Sequence, residues 1–414
     1  MIRVSKHPGY QATGFQHDRK GVFIFPDFGD TGIMTDYRIG VLGGYGRVGQ
    51  HAVKYLAHSG HSIIIGGRDL DRAQIAVDKL GECATPHRVD INDTESLQSF
   101  CGNCDLVINC AGPFEKIRDK VALAALAKQK HYVDVSGTDS FYANLLPYRE
   151  EIRKKGLIFI ISAGMLPGLS GLLPIYTGQS QFDLVDFIDY FYCGMDEFTY
   201  TSAYDYVCSL NDGSGMSMAY CQKGEIVPKG AGLMHDVKIP YYEKPLDAYP
   251  YSNGEMQRIS EKLGGCKVCF YYAFPGGHTF ETLNYIQASR KYSTDDERHQ
   301  SAELLVKSSQ KDLIGNDIKQ IYYIIMDGKQ KGANRKVLYQ TLYSRDGYEL
   351  TGTIAGITSL LILAHRTTGP GIHYLPHGLN PNVFMDELKA QAVIKHFILN
   401  WEDETIMEKG YKRQ

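Results

Sequence analysis

Short apolar runs alternate with amphipathic stretches between residues 37 and 162. Ile158-Phe159-Ile160-Ile161 is apolar at every position, which is typical of a parallel strand buried on both faces. The intervening stretches have helical spacing and helix-start residues, such as Asn92 or Asp93 before Thr94–Cys101. The pattern predicts six strands: Ile39–Leu42, Ser62–Ile65, His87–Ile91, Leu106–Cys110, His131–Val135 and Leu157–Ser162. Six strand–helix units predict an α/β fold with a doubly wound, Rossmann-type parallel sheet.

The pattern changes after Gly164, where tyrosines become frequent and the candidate strands are joined by turns. The candidate strands are Lys267–Phe274, Thr282–Arg290 and Ile321–Met326. Asp327-Gly328 and Arg345-Asp346-Gly347 are typical turn sequences. This half of the chain therefore predicts a second α+β domain with a mixed or antiparallel sheet. Helical patterns follow over Thr353–His365 and Asn382–Ala392.

These patterns divide the chain into four segments. Residues 1–36 have no sustained period and are interpreted as an N-terminal extension. Residues 37–166 form the predicted dinucleotide-binding domain, and residues 167–350 form the predicted substrate domain. We expect residues 351–414 to be helices that pack back on the first domain.

A glycine-rich turn links the first strand to the first helix. Gly44, Gly46 and Gly49 have the G-x-G-x-x-G spacing, and Gly43 adds one more residue without a side chain. Such a turn lets backbone N–H groups approach a pyrophosphate, and the N-terminus of the following helix favours its negative charge. The sequence therefore predicts a bound dinucleotide; the alternative is an ordinary tight turn. The expected contacts from this turn are Gly43, Gly44, Tyr45, Gly46, Arg47, Val48 and Gly49.

The end of the second strand indicates which dinucleotide binds. Arg68 and Arg72 lie one helical turn apart, where an NAD site usually has an acidic residue. Because guanidinium groups suit a 2′-phosphate, the sequence predicts NADP(H). In the alternative, Asp69 accepts a ribose hydroxyl and Arg68 is a solvated charge. Asp90, after the third strand, is a further expected cofactor contact.

Small residues follow the later strands at the edge where ligands bind in such sheets. The predicted cofactor contacts there are Cys110, Ala111, Gly112, Pro113, Phe114, Ser136 and Gly137. Pro167 and Gly168, after the sixth strand, are predicted to contact substrate. In each loop the alternative is that glycine and proline only shape the backbone. Asp134 is either a catalytic group or a structural acceptor within its apolar strand.

Four motifs occur in a family-specific order. They span Val41–Gly49, Asn109–Phe114, Tyr132–Gly137 and Gly164–Ser170. Together they resemble the saccharopine dehydrogenase-like family, and the Thr351–Ile357 helix and the Leu375–Leu388 tail resemble its C-terminal return. The resemblance implies a Rossmann fold and NAD(P)-dependent reduction or oxidation of C–N bonds in amino-acid-derived substrates. Related branches reduce other double bonds in larger apolar substrates.

The expected chemistry is hydride transfer at a C=N or C–N bond of an amino-acid-derived substrate. Two alternatives are a reductase of apolar enoyl or cyclic imine intermediates and a non-catalytic NADP(H)-sensing protein. His278, Asp134 and Tyr192 are the candidate catalytic residues, since each can exchange a proton. Tyr190 and Glu281 are candidate substrate contacts. A surface histidine and hydrogen-bonded core tyrosines are the alternatives.

Composition and charge restrict the kinds of binding partner, cellular location and metal site that we expect. The net charge of −3 gives no general attraction to nucleic acid or anionic membrane, so we expect a small-molecule substrate. No apolar run is long enough to span a bilayer and no signal peptide is evident, which favours the cytoplasm. Cys101-x-x-Cys104 and Cys266-x-x-Cys269 have zinc half-site spacing, but reduced thiols are the preferred interpretation, and no metal is expected. A homodimer is one expected assembly.

Overall fold

The computed structural model describes residues 36–210, 213 and 215–402, so the predicted extension over residues 1–36 lies almost wholly outside the described residues. The strands are β1 (Arg38–Leu42), β2 (Ser62–Gly67), β3 (Ala84–Arg88), β4 (Leu106–Asn109), β5 (His131–Asp134), β6 (Ile158–Ile161), β7 (Leu184–Met195), β8 (Gly215–Ser217), β9 (Tyr220–Gln222), β10 (Glu225–Val227), β11 (Met234–Val237), β12 (Leu246–Asn253), β13 (Lys267–Ala273), β14 (Lys319–Gln330), β15 (Ala333–Ser344), β16 (Gly371–Tyr374) and β17 (Ile394–Trp401).

The helices are α1 (Gly49–Leu56), α2 (Leu70–Asp78), α3 (Thr94–Gly102), α4 (Phe114–Ile117), α5 (Lys120–Ala127), α6 (Asp139–Leu145), α7 (Arg149–Lys154), α8 (Leu169–Gln181), α9 (Tyr200–Ser209), α10 (Gly254–Lys262), α11 (Gly277–Ala288), α12 (Asp295–Asp312), α13 (Gly347–Leu363), α14 (Leu375–Gly378) and α15 (Pro381–Lys389), and a 3₁₀ turn spans Leu146–Tyr148.

The first sheet is parallel throughout, with strand order β16-β6-β5-β4-β1-β2-β3. The predicted doubly wound sheet is confirmed, and β16 adds a seventh strand beside β6. The third strand lies at Ala84–Arg88 rather than at His87–Ile91, because it pairs in register with Ile63–Gly67 of β2. The strand order reverses between β1 and β4, and a ligand is expected above this reversal.

Helix α13 returns to the first sheet and crosses α1. A Cβ added to Gly352 would lie 2.6 Å from the Val48 carbonyl oxygen, and one added to Gly356 would lie 2.4 Å from the Tyr55 ring. The two glycines therefore allow close packing of the two helices. Helix α13 therefore packs on the first helix of the first domain.

The second sheet has ten strands and is mixed. Its central strand β7 runs parallel to β13 and antiparallel to β14. The prediction of a strand at Thr282–Arg290 is wrong: Leu283 and Ile286 are buried at helical spacing on α11. The turn predicted at Asp327-Gly328 is also wrong. Both residues pair along β14, where the register shifts at Gly328, and the hairpin turns after Gln330.

The last part of the described chain is not only helical, which corrects the expectation for residues 351–414. Helices α13, α14 and α15 are present, but β16 joins the first sheet. Strand β17 instead pairs antiparallel with β15 of the second sheet. One hydrophobic cluster includes Ile39 of β1, Leu172 of α8 and Ile324 of β14, so the two sheets share a core. The edge of the first sheet above β1 and β4 faces this shared region.

Candidate active site

The glycine turn after β1 is tightly closed. The Gly43 N–H donates to the Gly66 carbonyl at 2.8 Å, and Gly43 has a positive φ of 74°. A Cβ on Gly43 would lie 2.9 Å from the Ala111 nitrogen, and one on Gly49 would lie 2.2 Å from the Gly43 carbonyl oxygen. The turn and the loop after β4 therefore touch backbone to backbone. This cradle fits a pyrophosphate, and a side chain at either glycine would disrupt it.

Tyr45 connects the glycine turn to the end of β2. Its hydroxyl accepts the Asp69 N–H at 3.1 Å, and its ring packs on Gly67. The Arg72 guanidinium lies 4.8 Å from the centre of the Tyr45 ring, and Arg68 and Arg72 are both exposed. The Arg72 guanidinium therefore lies beside the turn, and the exposed Arg68 directly follows β2, where a 2′-phosphate would be bound.

Asp69, the alternative residue for binding a ribose hydroxyl, has a local structural role. Its carboxylate accepts the Arg72 N–H at 3.0 Å and caps helix α2. The capping bond engages this carboxylate locally, which favours Arg68 over Asp69 at the 2′ position. Asp90 lies beside the same strand ends, where its carboxylate accepts the Asn92 N–H at 2.9 Å. Its contact with the cofactor stays a prediction.

Asp134 connects the loops that follow β4 and β5. Its carboxylate accepts the Asn109 side-chain amide at 3.0 Å, the Ser136 N–H at 2.8 Å and the Tyr132 hydroxyl. The Asn109 side-chain oxygen in turn accepts the Ala111 N–H at 3.2 Å. Complete burial raises the pKa of the Asp134 carboxyl to about 6. These three donors favour the structural alternative for Asp134 over the catalytic one.

The loop after β4 is covered by helix α9 of the second domain. Its first residue is fixed to the sheet, since the Cys110 N–H donates to the Leu42 carbonyl at 2.9 Å. A Cβ on Gly112 would lie 2.5 Å from the Thr201 methyl carbon, so this glycine makes room for α9. The Phe114 N–H donates to the Asp205 carboxylate at 2.8 Å. The expected cofactor loop, Pro113 included, thus lies between the two domains.

Asp205 was not found by sequence reasoning. It is a single carboxylate in a tyrosine-rich helix, and no local motif indicates that it reaches the loop after β4. Desolvation raises the pKa of the Asp205 carboxyl to about 7. A carboxyl with this pKa exchanges a proton readily near neutral pH.

The loop after β6 is held by a second buried carboxylate, Glu255, at the start of α10. The Gly168 N–H donates to one carboxylate oxygen at 2.7 Å, and the Ser170 hydroxyl donates to the other at 2.5 Å. Burial raises the pKa of Glu255. Gly168 has a φ of 124° and is buried, so it shapes the loop, whereas Pro167 remains partly accessible. The local sequence signal for the position of Glu255 was Asn253, a typical helix N-cap residue, whose side-chain oxygen accepts the Glu255 N–H.

Tyrosines cover the face of the second sheet that is turned toward the first domain. The Tyr192 hydroxyl donates to Gln320 at 2.6 Å, and the Tyr322 hydroxyl donates to the Met165 carbonyl at 2.8 Å. The Tyr190 hydroxyl is buried, with no partner among the described residues. Burial raises the pKa of Tyr190, Tyr192 and Tyr272, so these hydroxyls are uncharged at neutral pH. The core alternative is favoured for Tyr190.

His278 and Glu281 are not brought to the cleft. Both are exposed on α11, and the His278 backbone N–H donates to Asp312 of α12 at 3.0 Å. Helix α11 packs on α12, α12 packs on α9, and α9 contacts the loop after β4. The histidine begins a helix and does not occupy the turn that the sequence predicted. This placement favours the surface alternative for both residues.

Tyr348, at the start of α13, lies over the glycine turn. The Arg47 guanidinium is 5.2 Å from the centre of its ring. Its hydroxyl accepts the Thr199 N–H at 2.9 Å and donates to the Glu197 carbonyl at 2.8 Å. The contact links the turn to the segment before α9. The sequence indicated this position for Tyr348 only weakly. Asp346 is a typical N-cap residue and caps α13, so Tyr348 lies in the first turn of that helix.

Comparison with known proteins agrees with this geometry. Residues 39–160 match the family model described as saccharopine dehydrogenase NADP binding domain. The first domain is thus similar to a saccharopine dehydrogenase NADP-binding domain over residues 39–160, less than half of the chain. Its cofactor is therefore NADP(H), as Arg68 and Arg72 predicted. The family resemblance is confirmed over residues 39–160, which contain three of the four sequence motifs; Gly164–Ser170 lies beyond the match.

Two curated relatives match part of the chain. One, a lipid droplet localized protein of Caenorhabditis elegans, is 26% identical over 142 residues, 31% of this chain and 33% of that protein. The other, a probable mitochondrial saccharopine dehydrogenase-like oxidoreductase of Arabidopsis thaliana, is 30% identical over 87 residues, 20% of this chain and 19% of that protein. The matches thus span a third or less of the relatives' lengths.

A solved structure extends the likeness to both domains. Saccharopine dehydrogenase (L-Glu forming) from Saccharomyces cerevisiae aligns with a TM-score of 0.65 and 15% identity. The alignment covers 89% of this chain and 100% of that chain. It shows a shared fold, including the second domain.

The cysteines do not assemble a metal site in the described part of the chain. Cys101 and Cys104 are buried in the first domain, and Cys266 and Cys269 are buried in the second. No group of three or more metal-ligating side chains occurs among residues 36–210, 213 and 215–402. Over the same residues, no helix is long and apolar enough to cross a membrane. The cytoplasmic location stays a prediction, since the relatives' names include a lipid droplet and a mitochondrial protein.

Proposed function

We propose that the protein is an NADP(H)-dependent oxidoreductase that transfers a hydride to a C=N bond, or from a C–N bond, of a small substrate. The observation that carries the proposal is the position of the NADP-binding turn. It lies at the reversal of strand order, and its neighbouring loop is covered by a second domain through Asp205. Ligands bind in this crevice in doubly wound sheets.

Different residues around the turn would hold different parts of the cofactor. Gly43 and Gly49 would leave room for the pyrophosphate, and the exposed Arg68 and Arg72 would bind the 2′-phosphate. Asp134 holds the loops after β4 and β5 in a fixed relation. When bound, the nicotinamide supplies or accepts the hydride, while the protein supplies position and polarity.

The tyrosine-covered face favours a second candidate substrate class. An amino-acid-derived substrate has carboxylates, which arginine or lysine usually binds. Tyr192 and Tyr272, which are partly buried, instead present rings and neutral hydroxyls on this face. This favours an apolar cyclic imine or enoyl group, whereas the family resemblance favours an amino-acid-derived imine.

The first experiment is a calorimetric titration of the purified protein with NADPH and with NADH. We expect NADPH to bind at least about tenfold more tightly, a difference of about 1.4 kcal/mol. R68A removes a phosphate partner, so it should weaken NADPH binding by about tenfold and leave NADH binding unchanged. R153A, which removes an equally exposed arginine from α7, serves as the matched control.

The second experiment is a turnover assay with the cofactor that binds. Polar amino-acid imines and apolar cyclic imines are compared with NADPH, by loss of its absorbance. Turnover of either class supports an oxidoreductase and identifies the substrate class. Tight binding without turnover of any C=N or C=C substrate would favour an NADP(H) sensor. Equal loss of NADPH and NADH affinity in R68A would contradict the role of Arg68.

A further inference from the structure

Asp205 belongs to the second domain but its carboxylate reaches the cofactor side of the cleft. One oxygen accepts the Phe114 N–H at 2.8 Å. The other would lie 3.5 Å from a Cβ on Gly112 and so borders that loop. The same loop touches the glycine turn, where Ala111 lies against Gly43. The carboxylate is thus placed where the loop after β4 meets the crevice above β1 and β4.

The groups that face Asp205 do not neutralise it. Glu115 on α4 and Asp134 on β5 disfavour its negative charge, and the N–H groups of Phe114 and Glu115 favour it. On α9 itself, Tyr204 and Tyr206 flank Asp205 along the chain and Cys208 interacts with it, and desolvation raises the pKa of all three groups. The cations of the adjoining elements are engaged elsewhere: Lys116 of α4 pairs with Asp295 at 3.8 Å, and Arg298 of α12 donates to the Tyr292 carbonyl. Within the described residues, Asp205 has no ion pair.

We propose that Asp205 is the proton-exchanging catalytic residue of the cleft, a role that rests on the proposed oxidoreductase function. In reduction of an imine, its carboxyl O–H bond breaks and an N–H bond forms on the substrate. The hydride and its two electrons then form the C–H bond and are supplied by the nicotinamide cofactor. The remaining carboxylate takes a proton from solvent. In amine oxidation the proton moves in the opposite direction.

The pKa of Asp205, about 7, suits both directions near neutral pH. The first test uses cofactor binding, which needs no known substrate. Oxidised nicotinamide is cationic and the reduced ring is neutral, so an ionised carboxylate beside it favours NADP⁺. We expect the ratio of the NADP⁺ and NADPH affinities to rise about tenfold between about pH 6 and about pH 8. Titration of the phosphates cancels in this ratio.

D205N is the decisive variant because its amide oxygen can still accept the Phe114 N–H. We expect D205N to bind NADPH normally, to lose the pH dependence of the affinity ratio and to reduce kcat by about 10²–10⁴-fold on any substrate that turns over. D71N, on exposed helix α2, is the matched control and should retain both properties. Thermal unfolding of each variant reports whether it is folded.

The outcomes separate this assignment from the proposed function. A pH-independent affinity ratio in the wild-type protein overturns the assignment even if D205N does not fold. D205N with wild-type kcat and pH dependence also overturns it. In either case NADPH turnover by the wild-type protein still supports the oxidoreductase. If the wild-type protein binds neither cofactor, the proposed function and the assignment both fail.

Discussion

Replacing Asp134 by asparagine should change how the stability of the protein depends on pH. The Asp134 side chain is completely buried, and its neighbours are the hydrogen-bond donors Asn109, Tyr132 and Ser136. D134N keeps the size of the side chain but removes its titration. The variant therefore isolates the contribution of one ionisation to the free energy of unfolding.

The sign and size of this pH-dependent change in stability follow from the pKa of Asp134. Burial raises the pKa of Asp134 from 3.8 to about 6, so the folded protein binds this proton more tightly than the unfolded chain does. The contribution to stability is complete below about pH 4, falls as the pH rises toward 6, and is constant above that. The difference of about 2 pH units corresponds to about 3 kcal/mol. D134N should not show this loss.

The measurement is urea unfolding of both proteins from about pH 4 to about pH 7, followed by circular dichroism. The difference in unfolding free energy between wild type and D134N should fall by about 3 kcal/mol over this range. D71N, which alters an exposed carboxylate on α2, should show no comparable change. A difference that does not vary with pH would refute the proposed burial of an ionisable Asp134.

Two further substitutions test the loops of the cleft. G49A should weaken NADPH binding by more than about tenfold in calorimetry, because its Cβ would lie 2.2 Å from the Gly43 carbonyl oxygen; unchanged affinity would mean that the turn does not hold the pyrophosphate. E255A leaves the N–H of Gly168 and the hydroxyl of Ser170 without their carboxylate, so it should reduce stability by about 2–5 kcal/mol and lower the Tm. An E255A Tm equal to that of the wild-type protein would contradict the role of this carboxylate.

The first domain could be predicted because its signals are local. A buried parallel strand such as Ile158–Ile161 is apolar at every position, and the glycine spacing after β1 lies within a few residues of the turn that needs it. Even here the bounds of β3 were displaced, since its pairing with β2, not its composition, decides where it starts. Local patterns therefore identified the cofactor but not every strand boundary.

The second domain and the catalytic side of the cleft could not be predicted in the same way. Thr282–Arg290 contains residues that suit a strand, but contact with α12 stabilises a helix. Asp205 and Tyr348 lie far along the chain from the loops they contact, and no local motif indicates those contacts. His278 has suitable chemistry but lies on α11. Site residues that depend on tertiary contacts thus need the structure.

The late strands β16 and β17 have a consequence for how the chain is synthesised and folds. Strand β6 emerges from the ribosome about 200 residues before its neighbour β16, and β15 emerges about 50 residues before β17. Until then β6 and β15 are open strand edges, which another chain can join, and β6 is apolar at every position. Termination of synthesis between β15 and β16 would leave both edges uncovered. The nascent protein is therefore exposed to aggregation until β16 and β17 have been synthesised, and holdase chaperones that cover strand edges should bind it during this interval.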